Sequence, residues 1–174
     1  MSEPAGRGAL DDAIRRLETM PAFLDRALAA APGSPLAGTG SNVDALLFSP
    51  ETGWFSLVEH ACHLRDVERE GYLVRVRRIL AEERPVLAGF EGDVVAQARN
   101  YRAQDARAAA REFAAARREL VKLLRAVGPA DLRRDAVFAG KTITLTDLVG
   151  MAVEHDDEHR RQIGELQAML EEER

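Results

Sequence analysis

A single cysteine, Cys62, excludes an internal disulfide within the 174 residues. There is no excess of positive charge: 24 Lys and Arg against 29 Asp and Glu give a net charge of -5, too acidic to offset the phosphates of a nucleic acid. Uninterrupted apolar runs reach only a few residues, far short of the roughly 20 that cross a bilayer as a helix. No charged-plus-apolar leader precedes Leu10, and with the lone cysteine this reads as a cytoplasmic chain. Aromatic residues make up only 5%. What is abundant instead is Ala, Leu, Arg and Glu, the residues that lose least on entering a helix, so the composition points to an all-α fold. The length suits one domain with its own core.

Residues 1–8 contain Pro4, Gly6 and Gly8 and read as a flexible lead-in, with a single domain over 9–174. Leu10, Ile14, Leu17, Leu24 and Leu28 recur at helical spacing, but Pro21 lacks an N–H and should break or kink that run, so the main first helix is expected from about Pro21. A Gly-, Pro- and Ser-rich loop follows from Pro32 to Gly53, with Leu46, Leu47 and Phe48 as an apolar patch that tucks onto the bundle. Ser56 and Glu59 have capping-box spacing and open a long second helix that ends before Pro85. A short helix is expected over 93–100, and an amphipathic third helix over 105–127, stopped by Gly128 and Pro129. Residues 131–141 read as a connection turning at Gly140, and Thr144 to Asp147 as the start of a last helix towards Glu172. The sum is a four-helix bundle with long loops and short extra helices.

All four histidines fall in two tight groups, His60 and His63 on the second helix, His155 and His159 on the last. Leu148, Ala152, His155, His159, Ile163, Leu166 and Leu170 share one helical stripe, so the last two imidazoles point inward with apolar side chains. Imidazoles four residues apart on one face can converge on a single ion, with a third ligand from another helix. Periodicity favours His60 slightly, because it aligns with Leu57, Leu64, Val67 and Gly71, yet spacing alone leaves His60 and His63 both open. A lone inward histidine is more often a hydrogen-bonded core residue; two at this spacing would each need a buried partner.

The run from Trp54 through Ser56, Glu59, His63, Leu64, Asp66 and Glu68 resembles the "W-S-x-x-E-x-x-x-H-L-x-D-x-E" segment of the DinB-like superfamily. Thr144, Leu145 and Leu148, followed by His155, Asp156, His159, Gln162 and Ile163, resemble its "T-L-x-x-L … H-D-x-x-H-x-x-Q-I" segment. Two positions depart from the pattern: Trp54 stands one place further from the serine, and Glu158 replaces a frequent second histidine. The resemblance spans residues 18 to 168 and implies a metal-binding four-helix bundle, near one end of which the start of the second helix meets the middle of the last. It also implies that His63, His155 and His159 ligate one divalent transition metal, zinc ahead of nickel, with His60 as a neighbour.

Three imidazoles leave a coordination position open for water or substrate. Cys62 is next to His63, but adjacent helical residues diverge by about 100°, so it should face elsewhere as a small core residue. Glu59, Asp156, Glu158 and Gln162 are candidate partners for the imidazole N–H groups. The resemblance implies a metal-dependent transferase acting with a low-molecular-weight thiol, an S-transferase or thiol-dependent isomerase like related bacterial enzymes, or else a hydrolase. The alternative is a non-catalytic, stress-associated module whose ion clamps two helices. A small-molecule substrate is expected as partner, with homodimerisation implied by the family, and neither nucleic acid nor membrane.

Overall fold

The computed structural model describes residues 7–31, 45–50 and 54–172. Four long helical segments form the bundle: α1 (Arg7–Ala30), a continuous helix of α2 (Leu57–Asp66), a π-helical turn (Val67–Tyr72) and α3 (Leu73–Ala81), then α5 (Ala106–Ala126) and α6 (Leu145–Glu172). The short α4 (Gly92–Ala98) lies in the connection between the second and third of these. No helix among the described residues is long and apolar enough to cross a membrane.

Helix starts follow the chemistry of the exposed N–H groups. At α2 the Ser56 side chain accepts from the Glu59 N–H while the Glu59 carboxylate accepts from the Ser56 N–H. At α6 Asp147 Oδ2 accepts from the Thr144 N–H at 2.8 Å and Thr144 Oγ1 from the Asp147 N–H at 3.2 Å. Asp105 caps α5 through the N–H groups of Arg107 and Ala108.

Three expectations need correction. First, the helix starts at Arg7 rather than near Pro21, so Arg7 and Gly8 belong to it and not to a lead-in; residues 1–6 lie outside the described set. The proline is tolerated for a local reason. A proline leaves the carbonyl four residues earlier without its helical donor, and that carbonyl, on Leu17, accepts from Arg117 Nη1 at 2.9 Å instead. Second, residues 131–141 do not simply connect. They contribute β2 (Asp135–Phe138) and β3 (Lys141–Thr144), an antiparallel hairpin joined to β1 (Val86–Leu87) in parallel. The two turn residues, Ala139 and Gly140, have φ of 49° and 75°, the mirror-image turn that matches the twist of a hairpin. Strands of four residues are too short for their alternation to stand out in sequence. Of the expected loop, residues 32–44 and 51–53 lie outside the described set, while Leu46, Leu47 and Phe48 do pack on the core.

Third, the histidines stand as expected in the first turns of α2 and the middle of α6, but between two apolar clusters rather than at one end of the core. The core is two apolar clusters stacked along the bundle, one holding Leu17, Tyr72, Leu120, Leu148 and Ala152, the other Met20, Leu57, Leu64, Phe113, Ile163 and Leu166. The change from one cluster to the other falls between Leu64 and Val67, between Phe113 and Ala116 and between Val153 and Ile163, and within about one turn of it stand the buried polar residues His60, His63, Asp66, Glu68, Arg117, Asp156 and His159. The histidines therefore sit in a polar layer between two dry cores.

Candidate metal centre

The two capped helices bring the imidazoles together. His63 Nε2 lies 3.1 Å from His155 Nε2, and His159 Nε2 lies 3.1 Å from His155 Nε2. These three nitrogens form one group with the spacing of a metal-ligand set. Two nitrogens bound tetrahedrally to one ion at 2.0–2.1 Å stand about 3.3 Å apart, so the donor set fits a zinc-like cation. In the tautomers that leave all three Nε2 atoms unprotonated, their lone pairs would repel one another unless a cation lay between them.

His60 is not part of this trio. Its Nδ1 lies 2.8 Å from His159 Nδ1. With an ion at its Nε2, His159 would carry its proton on Nδ1 and donate it to His60, a contact that would hold it in that tautomer. His60 Nε2 and His63 Nδ1 are buried without a hydrogen-bond partner among the described residues. Periodicity favours His60 because both residues do face inward; His60 is fully buried and His63 is 8% exposed.

Burial holds all four rings neutral. Desolvation lowers His60 to about 3, His63 to about 4 and His155 to about 3, with neighbouring charge adding to the effect at His60 and His155; His159 is lowered by the same causes. Neutral imidazoles are what a metal requires. They also set the pH dependence of the metal-free protein. Below pH 6.5 the unfolded chain takes up protons that the folded one refuses, so stability falls with pH until the folded rings themselves titrate near pH 3–4. The slope is about 1.4 kcal/mol per pH unit for each histidine that stays neutral. Thermal melts of metal-free protein should show a steep loss from pH 6.5 to 5, and a flat profile over that range would mean that the rings accept protons in place.

Rings and backbone crowd the histidines. Phe55 packs on His63 with centroids 5.3 Å apart and Phe90 at 5.8 Å. The start of α4 closes in at Gly92, where a Cβ would stand 2.7 Å from His63 Cε1 and 3.0 Å from Nδ1. Only glycine lets α4 approach this far. Gly92→Ala should push the His63 ring off its line and weaken metal binding roughly tenfold, as displaced supporting groups do, with little change in helix content. Competition against a coloured chelator measures it; unchanged affinity would show that the ring can give way freely.

Two cavities share His159. One, of about 360 Å³, is lined by Trp54, Phe55, Asp93, His159, Arg161 and Gln162. The other, about 510 Å³ and mainly apolar, reaches His63, His155 and His159 past Tyr72, Phe90 and Phe138. An ion at the trio would thus be reachable from two sides.

The residues named as candidate N–H partners go elsewhere. Glu59 is taken up by the helix cap and by Arg102 at 3.1 Å. Glu158 is on the outer side of α6 and meets Arg161 and Gln162. Asp156 is buried but turned towards Arg117, with which it shares bonds of 2.5 and 3.0 Å. Of the four, Gln162 alone lines a cavity beside a histidine. Cys62 faces away, with Sγ 3.6 Å from Gln104 Oε1, and burial raises its thiol to about 11. Gly92, Arg75 and Arg117 had no place in the expected site. The two arginines did leave a signal: each is a charge set into the apolar stripe of its helix, Arg75 between Tyr72 and Ile79, Arg117 between Phe113 and Leu120.

Comparison with known proteins bears on the family and the fold. The sequence model described as the DinB superfamily matches residues 35–163. Among solved structures, YfiT from Bacillus subtilis, described as "a probable metal-dependent hydrolase with an unusual four-helix bundle topology", superposes with a TM-score of 0.82. The two are 21% identical, and the match covers 98% of this chain and 92% of that one. No curated protein sequence matches.

Proposed function

Because the chain belongs to the DinB superfamily and its trio is built for a cation, we propose that it is an enzyme that holds one divalent transition-metal ion on His63, His155 and His159. Zinc is the first choice and nickel the second, since borderline ions suit imidazole. The observation that carries the reading is the convergence of three Nε2 atoms on the wall of the apolar cavity. An ion there lowers the pKa of a coordinated thiol or water and so supplies a nucleophile at neutral pH.

The remaining work falls to the chain itself. His60 holds the His159 tautomer through the Nδ1 contact, Phe55 and Phe90 shield the His63 ring from water, and the apolar cavity receives a small electrophile. The nucleophile of this reading is a low-molecular-weight thiol, which the family resemblance supports; transfer to carbon makes the enzyme an S-transferase, and reversible addition an isomerase. Water is the second reading, favoured by the description of YfiT. Zinc- and nickel-loaded protein assayed with monobromobimane and a panel of cellular thiols, and separately with activated esters, discriminates the two. Thiol consumption above the metal-free rate is expected; ester hydrolysis alone would favour water, and no metal-dependent rate with either would overturn the enzyme reading.

A further inference from the structure

Arg75 is a buried cation that no carboxylate among the described residues pairs with. It is 6% exposed, its Nε donates to the Ala88 carbonyl at 3.1 Å, and its guanidinium stacks 4.6 Å from the centre of the Phe138 ring and 5.6 Å from that of Tyr72. Neither Nη1 nor Nη2 has an acceptor among the described residues, and no carboxylate pairs with the group. Arg117, more deeply buried, shows the contrast, because two carboxylates grip it. An unpaired buried charge is expensive, and the groups that hold Arg75 are ring faces and one carbonyl, which orient a guanidinium without neutralising it.

Its position gives that cost a use. Arg75 lines the same apolar cavity into which His63, His155 and His159 project. The π-helical turn Val67–Tyr72 stands just before it, and the extra residue of that turn rotates the face of the helix beyond it. At Gly71 the missing side chain leaves the guanidinium space: a Cβ there would already stand 3.5 Å from Nη1. Phe138, from the hairpin, closes the opposite face.

We infer that Arg75 is the anion subsite of this cavity, seating the carboxylate of a small organic acid whose apolar body lies on Phe90, Phe138 and Met151, with its reactive carbon towards the histidines. A planar guanidinium with both Nη groups free matches a carboxylate edge to edge. A cavity of about 510 Å³ limits the acid to small-molecule size. The inference rests on the enzyme reading for the role of the acid as substrate, but the subsite itself needs no metal.

Calorimetric titration of the full chain, metal-free and zinc-loaded, with benzoate, benzamide and phenylphosphonate tests it. Benzoate should bind metal-free protein on the order of tenfold tighter than benzamide, the discrimination a charged hydrogen-bonded pair supplies. Arg75→Gln should erase that ratio and leave zinc content unchanged, while Arg75→Lys keeps part of it. Equal affinity for benzoate and benzamide in the wild type overturns the subsite whether or not the variants fold, and stronger binding of phenylphosphonate than of benzoate overturns the carboxylate assignment. Because the ratio is read without metal, failure to bind zinc would sink the enzyme reading and leave this result standing.

Discussion

Arg117→Met is expected to cost about 3–5 kcal/mol of folding stability, the penalty for removing one partner of a buried ionic network. Arg117 donates to Glu68 at 2.7 and 3.0 Å, to Asp156 at 2.5 and 3.0 Å, and to the Leu17 carbonyl at 2.9 Å. Methionine fills the volume but leaves two carboxylates in the core and one carbonyl without a donor. For a chain of this length the loss is roughly 6–20 °C in Tm. The pH dependence identifies the cause. Burial raises the pKa of Glu68 and of Asp156 against the pull of Arg117; without Arg117 only raising causes remain at Glu68, and at Asp156 only the charge of Arg160 opposes them. A raised carboxyl contributes stability below its unfolded pKa that is lost as pH rises, so the variant's deficit should shrink on acidification towards pH 4.5. A deficit that is constant with pH would point to packing instead.

Much of the architecture was legible because helices write their period and their ends into local sequence. The capping residues Ser56, Glu59, Thr144 and Asp147 stand where the helices start, and the apolar stripe around His155 and His159 is the buried face of α6. What escaped depends on partners distant in sequence. Pro21 reads as a break until Arg117, almost a hundred residues on, supplies the donor for Leu17. The hairpin was too short to announce itself, yet its Phe138 is a wall of the cavity. The π-helical turn inserts a residue into this helix, yet the stripe from His60 through Gly71 still reaches the buried Arg75, whose charge in that stripe carried no weight beside the histidines. In the site, spacing alone left His60 and His63 undecided because both face inward, and only the register of α2 against α6 distinguishes the Nε2 that meets His155 from the Nδ1 that meets His159.

That distinction yields the second large effect. His159→Ala should reduce zinc affinity on the order of 10³-fold, a share of the 10–16 kcal/mol that structural zinc sites release over four ligands. His60→Ala removes a group that touches only the far nitrogen of His159, so it should retain one zinc per chain with affinity lowered about 10–100-fold. Elemental analysis after gel filtration separates the two: no zinc with His159→Ala, near one equivalent with His60→Ala. Chelation adds a further discrimination. In the wild type a chelator should lower Tm, while in His159→Ala it should not, since nothing remains to be removed. The metal-free His159→Ala protein should also lose less stability between pH 6.5 and 5 than metal-free wild type, because one fewer buried imidazole resists protonation. Equal zinc retention by both variants would mean that the ion does not require the ring that joins the trio to His60, and the centre would have to be rebuilt on other donors.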